Sequence, residues 1–243
     1  MTRESWLAQG PFTLALSAGF FGFFSHTGVL AALETVGLRP RRIIGVSAGA
    51  LAGGLWAAGL GAGELARELL ALRREDFWDP GLPLGGLLRG RKFEAELRRV
   101  LAPTGVARVE DCGVDFVSIV HDVVAHKTLA LAHGDLAKAI RASCTVPLMF
   151  RPLWWRGRVL VDGGVSDRIG RIALAPDDRV MLHYIPSRSR WRRAPGPVTL
   201  PGIDAQIMVT PDVPPLGPFK LGEAARALEV SRAHTLKWLR QRL

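Results

Sequence analysis

Two stretches without a single Asp, Glu, Lys or Arg, residues 5–33 and 43–63, constrain this chain more than any other feature. Each is long enough to cross a bilayer, so a helical membrane hairpin has to be weighed first. The first is interrupted by Gly10, Pro11, Ser17, Gly19, Gly22, Ser25, His26 and Gly28, and the second carries seven glycines. Such helices would present a poorly packed face to lipid. Strands buried on both faces and joined by glycine-rich turns give the same uncharged runs in a soluble α/β protein, and that is the reading adopted. A signal peptide built on Arg3 and the apolar residues 12–16 is opposed by Glu4 and by the mixed character of the run.

Strand and helix signals then alternate. Residues 13–17 (TLALS) predict a short strand, followed by a Gly/Phe turn and a helix over 26–36 in which Val29, Leu30, Leu33 and Val36 recur at helical spacing. Residues 42–46 (RIIGV) predict a second strand, running directly into a small-residue helix over 48–58. Helices are expected over 64–74, 92–101, 136–144 and 222–243, and strands over 114–120, 128–132, 159–161 and 180–185, with residues 79–83 as a loop or lid. The pattern implies an α/β fold, a three-layer α/β/α sandwich with a mainly parallel central sheet. At 243 residues, 48% hydrophobic and 22% charged, the chain suits one domain spanning 1–243.

The two cysteines, Cys112 and Cys144, stand far apart and outside any Cys/His cluster, so neither a disulfide framework nor a zinc site is expected. No metal or other cofactor is expected, and a reducing, cytoplasmic setting is. Net charge is +10, from 32 basic against 22 acidic residues, which favours anionic partners. A basic loop over about 187–201, containing Arg188, Arg190, Trp191, Arg192 and Arg193, accompanies no nucleic-acid motif. Nucleic acid is therefore not expected, and contact with an anionic membrane surface is the functional reading set against a merely solvated loop. Oligomeric state is not legible.

The sharpest chemical signal is Gly45-Val46-Ser47-Ala48-Gly49, a G-x-S-x-G between an apolar strand and a helix. A nucleophilic serine needs such a turn to project its hydroxyl free of the backbone, and flanking glycines relieve the crowding there. Ser47 as a simple helix cap is the plain alternative. A serine nucleophile also needs a base and an anion hole. Asp162 ends a predicted strand and precedes Gly163-Gly164, where an α/β sheet gathers its site residues; an ordinary turn aspartate looks the same. For the hole, Ala18-Gly19-Phe20 follows the first strand and precedes a helix, where unpaired N–H groups favour an anion, and the N–H of Ala48 is a further candidate.

Taken in order, these pieces resemble the patatin-like phospholipase family. TLALSAG followed by HTGVLAALE (residues 26–34) is similar to its first strand, oxyanion turn and following helix. IIGVSAGAL is similar to its nucleophile elbow, residues 139–152 (AIRASCTVPLMFRP) to the segment before its aspartate, and Val161-Asp162-Gly163-Gly164-Val165 to its Asp-Gly-Gly motif. The resemblance implies a Ser47–Asp162 dyad with no catalytic histidine, Gly45, Gly49, Gly163 and Gly164 as elbow and site support, and a lipid acyl ester as substrate. Two departures stand out. The family's turn reads Gly-Gly-Gly-x-Arg/Lys-Gly, where this chain has Ala18-Gly19-Phe20-Phe21-Gly22-Phe23, without a cation. Its Asp-Asn-x-Pro is replaced by Asp167-Arg168-Ile169-Gly170. Phe20, Phe21, Phe23 and Phe24 would then shape an acyl-chain pocket. The alternatives are a Ser-Asp-His hydrolase using His183 or His234, and a non-catalytic binder of lipid or a partner protein.

Overall fold

The computed structural model describes residues 1–83, 85–187 and 198–243. In chain order the elements are α1 (Arg3–Ala8), β1 (Thr13–Leu16), α2 (Phe23–Thr35), β2 (Arg42–Val46), α3 (Ala48–Ala57), α4 (Ala62–Ala71), α5 (Arg74–Phe77), β3 (Gly86–Leu88) and α6 (Arg91–Leu101). They continue with β4 (Asp115–Asp122), β5 (Lys127–Leu131), α7 (Leu136–Ser143), β6 (Leu148–Phe150), β7 (Leu153–Trp155), β8 (Arg158–Asp162), β9 (Arg179–His183), β10 (Asp204–Met208) and α8 (Ala224–Arg240).

The strands join along the path β10-β9-β1-β2-β4-β8-β7, with β5 also on β4. The first five are parallel, and β5, β7 and β8 run antiparallel to their neighbours. Alternation sorts the side chains. Leu14, Leu16 and Ile43 enter the main core beneath the helices, while Ala15 and Ile44 face the other side. Among the described residues that second face is covered by Ile169, Ala173, Leu174, Leu200 and Ile203 from loops and a 3-10 turn. The uncharged runs thus become β1, α2, β2 and α3, all deeply buried. Among the described residues no helix is long and apolar enough to cross a membrane.

Several details differ from the sequence reading. The helix expected over 64–74 breaks at Leu72, whose extended backbone (φ −62°, ψ 125°) separates α4 from α5. The loop over 79–83 is anchored, because the Asp79 carboxylate accepts from the N–H groups of Gly90, Arg91 and Lys92 and so caps α6. The basic run 188–193 lies outside the described residues.

Candidate active site

Register brings Ser47 and Asp162 together. Ser118 and Ile119 of β4 pair with β2 on one edge and with β5 on the other, whereas residues 120–122 pair with β5 and β8. β2 and β8 therefore share an edge of β4 and run toward each other. β2 ends at Val46 opposite Ile119, and β8 ends at Asp162 opposite Val120. The end of β2 and the end of β8 are thus offset by one residue along β4, about 3 Å of strand rise, and the turn carrying Ser47 begins where β8 stops.

Ser47 holds φ 55° and ψ −117°. A left-handed φ at a non-glycine residue is strained and persists only where the surroundings enforce it. Here the enforcement comes from residues 143–145, at the C-terminal end of α7. The Ser47 N–H donates to Ser143 Oγ (2.8 Å), and the Ser143 hydroxyl donates to the Ile119 carbonyl (2.6 Å). Cys144 Sγ donates to the Ser47 carbonyl (3.1 Å), and the Asp162 N–H donates to the Thr145 carbonyl (2.9 Å). One oxygen of Asp162 accepts from the Gly164 N–H (2.7 Å), which fixes the plane of the carboxylate. Ser47 is 9% exposed and Asp162 6%.

Burial and the neighbouring Asp162 charge push the Cys144 thiol well above its ordinary 9. Cys112 is pushed up to about 11 by burial, with Asp111 and Glu110 adding to it. Both thiols should therefore stay protonated at pH 8. Iodoacetamide at that pH is expected to leave the folded chain unmodified while alkylating it twice in urea, and rapid alkylation of Cys144 in the folded protein would contradict its placement.

The turn after β1 is closed by the Gly22 N–H donating to the Gly19 carbonyl (2.8 Å). The structure corrects one expectation about it. The Ala18 N–H is committed to the Arg168 carbonyl (2.8 Å), so Ala18 cannot donate to an oxyanion. The N–H groups of Gly19 and Phe20 make no hydrogen bond among the described residues, and Ala48 occupies the first position of α3, where an N–H has no intrahelical acceptor. α2 and α3 both start here, and neither carries an acidic residue in its first turn or a side-chain cap. Neither positive helix end is compensated by a residue of its own first turn. Gly45 lies under α3, and Gly163 opens the turn after β8. A Cβ at Gly164 would lie 2.8 Å from that of Ala18, so the Asp-Gly-Gly turn packs directly on the turn after β1.

Ser47 and Ala48 border an apolar cavity of about 80 Å³ walled by Phe21, Phe23, Leu51, Phe77, Phe93 and Phe150. Phe20 also lines it, whereas Phe24 is 1% exposed and packs in the main core.

His183 is otherwise employed. His26 Nε2 faces the Ser17 carbonyl (2.9 Å), an acceptor only, so Nε2 carries the proton and Nδ1 accepts from His183 Nδ1 (2.8 Å). His183 Nε2 then accepts from the Thr210 hydroxyl (3.1 Å). Both rings are fully buried and both are neutral, desolvation pulling His26 from 6.5 down to about 4 and His183 well below 6.5. No nitrogen of His183 remains to act as a base on Ser47. His234 sits on α8, near enough to His183 to help lower its pKa, and among the described residues no hydrogen bond links it to Ser47. Because the unfolded chain binds these protons and the folded one refuses them, stability is complete above about pH 6.5 and falls as pH drops toward 4. His26 alone should remove about 2 kcal/mol between pH 7 and pH 5. Urea midpoints measured at the two values test this, and equal midpoints would contradict the buried neutral pair.

Ser143, Thr145 and Arg168 are site residues that sequence reasoning did not single out. The available signal for the first two was a run of small polar residues, Ser143-Cys144-Thr145, closing an amphipathic helix.

The patatin-like phospholipase family model matches residues 14–174. An uncharacterized NTE family protein of Mycobacterium tuberculosis is 32% identical over 165 residues, covering 67% of this chain and 45% of that protein. Neuropathy target esterase sws of Drosophila persimilis is 26% identical over 172 residues, covering 68% of this chain and 12% of that protein. This chain thus spans less than half the length of these relatives. The crystal structure of VipD from Legionella pneumophila superposes with a TM-score of 0.63 at 12% identity, covering 94% of this chain and 66% of that one.

Proposed function

Since this chain belongs to the patatin-like phospholipase family, we propose that it is a serine hydrolase of lipid acyl esters working through a Ser47–Asp162 dyad. The observation that carries the reading is the meeting of β2 and β8 on one edge of β4, which sets a strained serine beside a buried carboxylate at the mouth of an apolar cavity.

The acyl chain lies against the phenylalanine wall, and Ser47 Oγ attacks the ester carbonyl while Asp162 takes its proton. Negative charge developing on the carbonyl oxygen is met by the Gly19 and Phe20 N–H groups, assisted by the Ala48 N–H and the start of α3. The alcohol leaves with the proton returned by Asp162. Water, activated by the same carboxylate, then releases the fatty acid and restores Ser47. Rapid-mixing kinetics with a chromogenic acyl ester should show a burst of alcohol release equal to the enzyme present, the signature of an acyl-serine intermediate. Absence of turnover in folded protein would overturn the proposal and leave a lipid-binding fold.

Substrate is drawn from a lipid surface. Phe20 and Leu148 are exposed (59% and 80%) beside the cavity-lining Phe21 and Met149, and the net charge of +10 suits anionic headgroups. Flotation with anionic liposomes should be lost at high salt; binding indifferent to lipid charge would refute this part.

A further inference from the structure

The turn of residues 18–23 carries no cation of its own, yet a guanidinium reaches it from a segment 150 residues away. Arg168 holds Ala18 from both sides. Its carbonyl accepts from the Ala18 N–H (2.8 Å), and its Nη2 donates to the Ala18 carbonyl (2.9 Å) and to that of Ile185 (3.1 Å). Ile185 follows β9 and lies against the same turn, since a Cβ at Gly19 would fall 2.8 Å from its side chain.

Asp167 ties down the segment that bears Arg168. Its N–H donates to the Gly163 carbonyl (2.8 Å), and its carboxylate accepts from the N–H groups of Ile169, Gly170 and Ile172. One loop therefore carries Asp162 at its start and, further on, the clamp on Ala18.

Planarity makes this clamp directional. A trans peptide unit is flat, so the N–H of one residue points opposite to the carbonyl of the residue before it, and among the described residues no peptide bond is cis. Holding the Ala18 carbonyl on Arg168 thus sets the direction of the Gly19 N–H. Holding the Gly19 carbonyl on the Gly22 N–H (2.8 Å) sets that of the Phe20 N–H. The first restraint comes from the guanidinium, the second from the turn itself. A charge-assisted bond at the carbonyl end also polarises the peptide unit and strengthens its N–H as a donor.

We infer that Arg168 is a positioning residue of the oxyanion hole, aiming and polarising the Gly19 N–H through the Ala18–Gly19 peptide without touching the substrate. The assignment rests on the acyl-hydrolase reading and adds to it the group that orients one of its oxyanion donors. Because a single nitrogen serves both carbonyls, the guanidinium fork is unused and a lysine ammonium can take its place.

Arg168→Gln and Arg168→Lys test this, since both keep the main-chain bond to Ala18 and leave the loop docked. ¹⁵N relaxation reads the aim of the donors without any reaction. In Arg168→Gln the order parameter of the Gly19 amide should fall from about 0.85 to below about 0.6, while that of Phe20, held by Gly22, stays near its parent value. With a chromogenic acyl ester, kcat should fall about tenfold or more, short of the roughly 10²- to 10³-fold that deleting an oxyanion donor costs, and KM should stay within about threefold. Arg168→Lys should bring both readouts back close to the parent. An unchanged Gly19 amide in Arg168→Gln would overturn the proposal whatever the rate does. So would Gly19 and Phe20 loosening together with a fall in melting temperature, which is what a general support of the loop gives. The lysine variant keeps the proposal testable should the glutamine one not fold, because a loose Gly19 amide or a kcat down about tenfold in it would overturn the role of the cation. A parent protein that cleaves no ester, while Arg168→Gln still frees Gly19 alone, would sustain the clamp and remove the hydrolase reading, so the two fail separately.

Discussion

Asp162→Asn should lower ester turnover by about 10⁴-fold or more while leaving the melting temperature within a few degrees of the parent. The asymmetry follows from what each atom does. Asparagine keeps the side-chain oxygen that accepts from the Gly164 N–H and the backbone N–H that donates to Thr145, so the local structure survives. What it loses is the ability to take a proton from Ser47. His183, bonded on both nitrogens inside the core, does not stand in for it. Steady-state kinetics beside a thermal melt decide the matter, and activity within about tenfold of the parent would remove Asp162 from the mechanism.

Gly49→Ala is the largest expected effect on folding. A Cβ there would fall on the Leu16 carbonyl, with its oxygen and carbon both inside contact distance and the Leu16 Cβ at 2.8 Å. The obstacle is backbone from the centre of the sheet, which cannot swing aside as a side chain can. Overpacking of this kind should cost about 3 kcal/mol or more, a melting shift on the order of 10 °C for a chain of this size. The same contact sets the distance between the elbow and the turn after β1, so residual folded protein should also be a poor catalyst. A melting temperature unchanged in Gly49→Ala would show that α3 does not press on β1 as described.

Where this architecture was legible in the sequence, it was legible for the same physical reasons. β1, β2 and β4 are sheltered on both faces, which makes them nearly continuous apolar runs, and β2 coincides with its expected span at residues 42–46. The edge strand β10, Asp-Ala-Gln-Ile-Met, was not expected because its residues are mostly half-buried and do not alternate. β6 and β7, three residues each, flank Pro152 and fell below any pattern's reach. The site divides likewise. Ser47 and Asp162 stand in local motifs whose spacing reflects one turn of backbone. The bracket of Ser143, Cys144 and Thr145 and the clamp from Arg168 are made between segments about 20 to 150 residues apart, and local sequence does not encode which partner arrives. The Ala18 N–H was misjudged for that reason, since its acceptor is the distant Arg168 carbonyl.

Labelling with a fluorophosphonate followed by peptide mass mapping tests the central claim most directly, because the reagent reacts only with a serine that is both activated and faced by an anion hole. A single adduct on Ser47, absent from Ser47→Ala and strongly slowed in Asp162→Asn, is the result expected from the strained elbow, the adjoining carboxylate and the free Gly19 and Phe20 amides. Folded protein that stays unlabelled, or an adduct on any other serine, would contradict it.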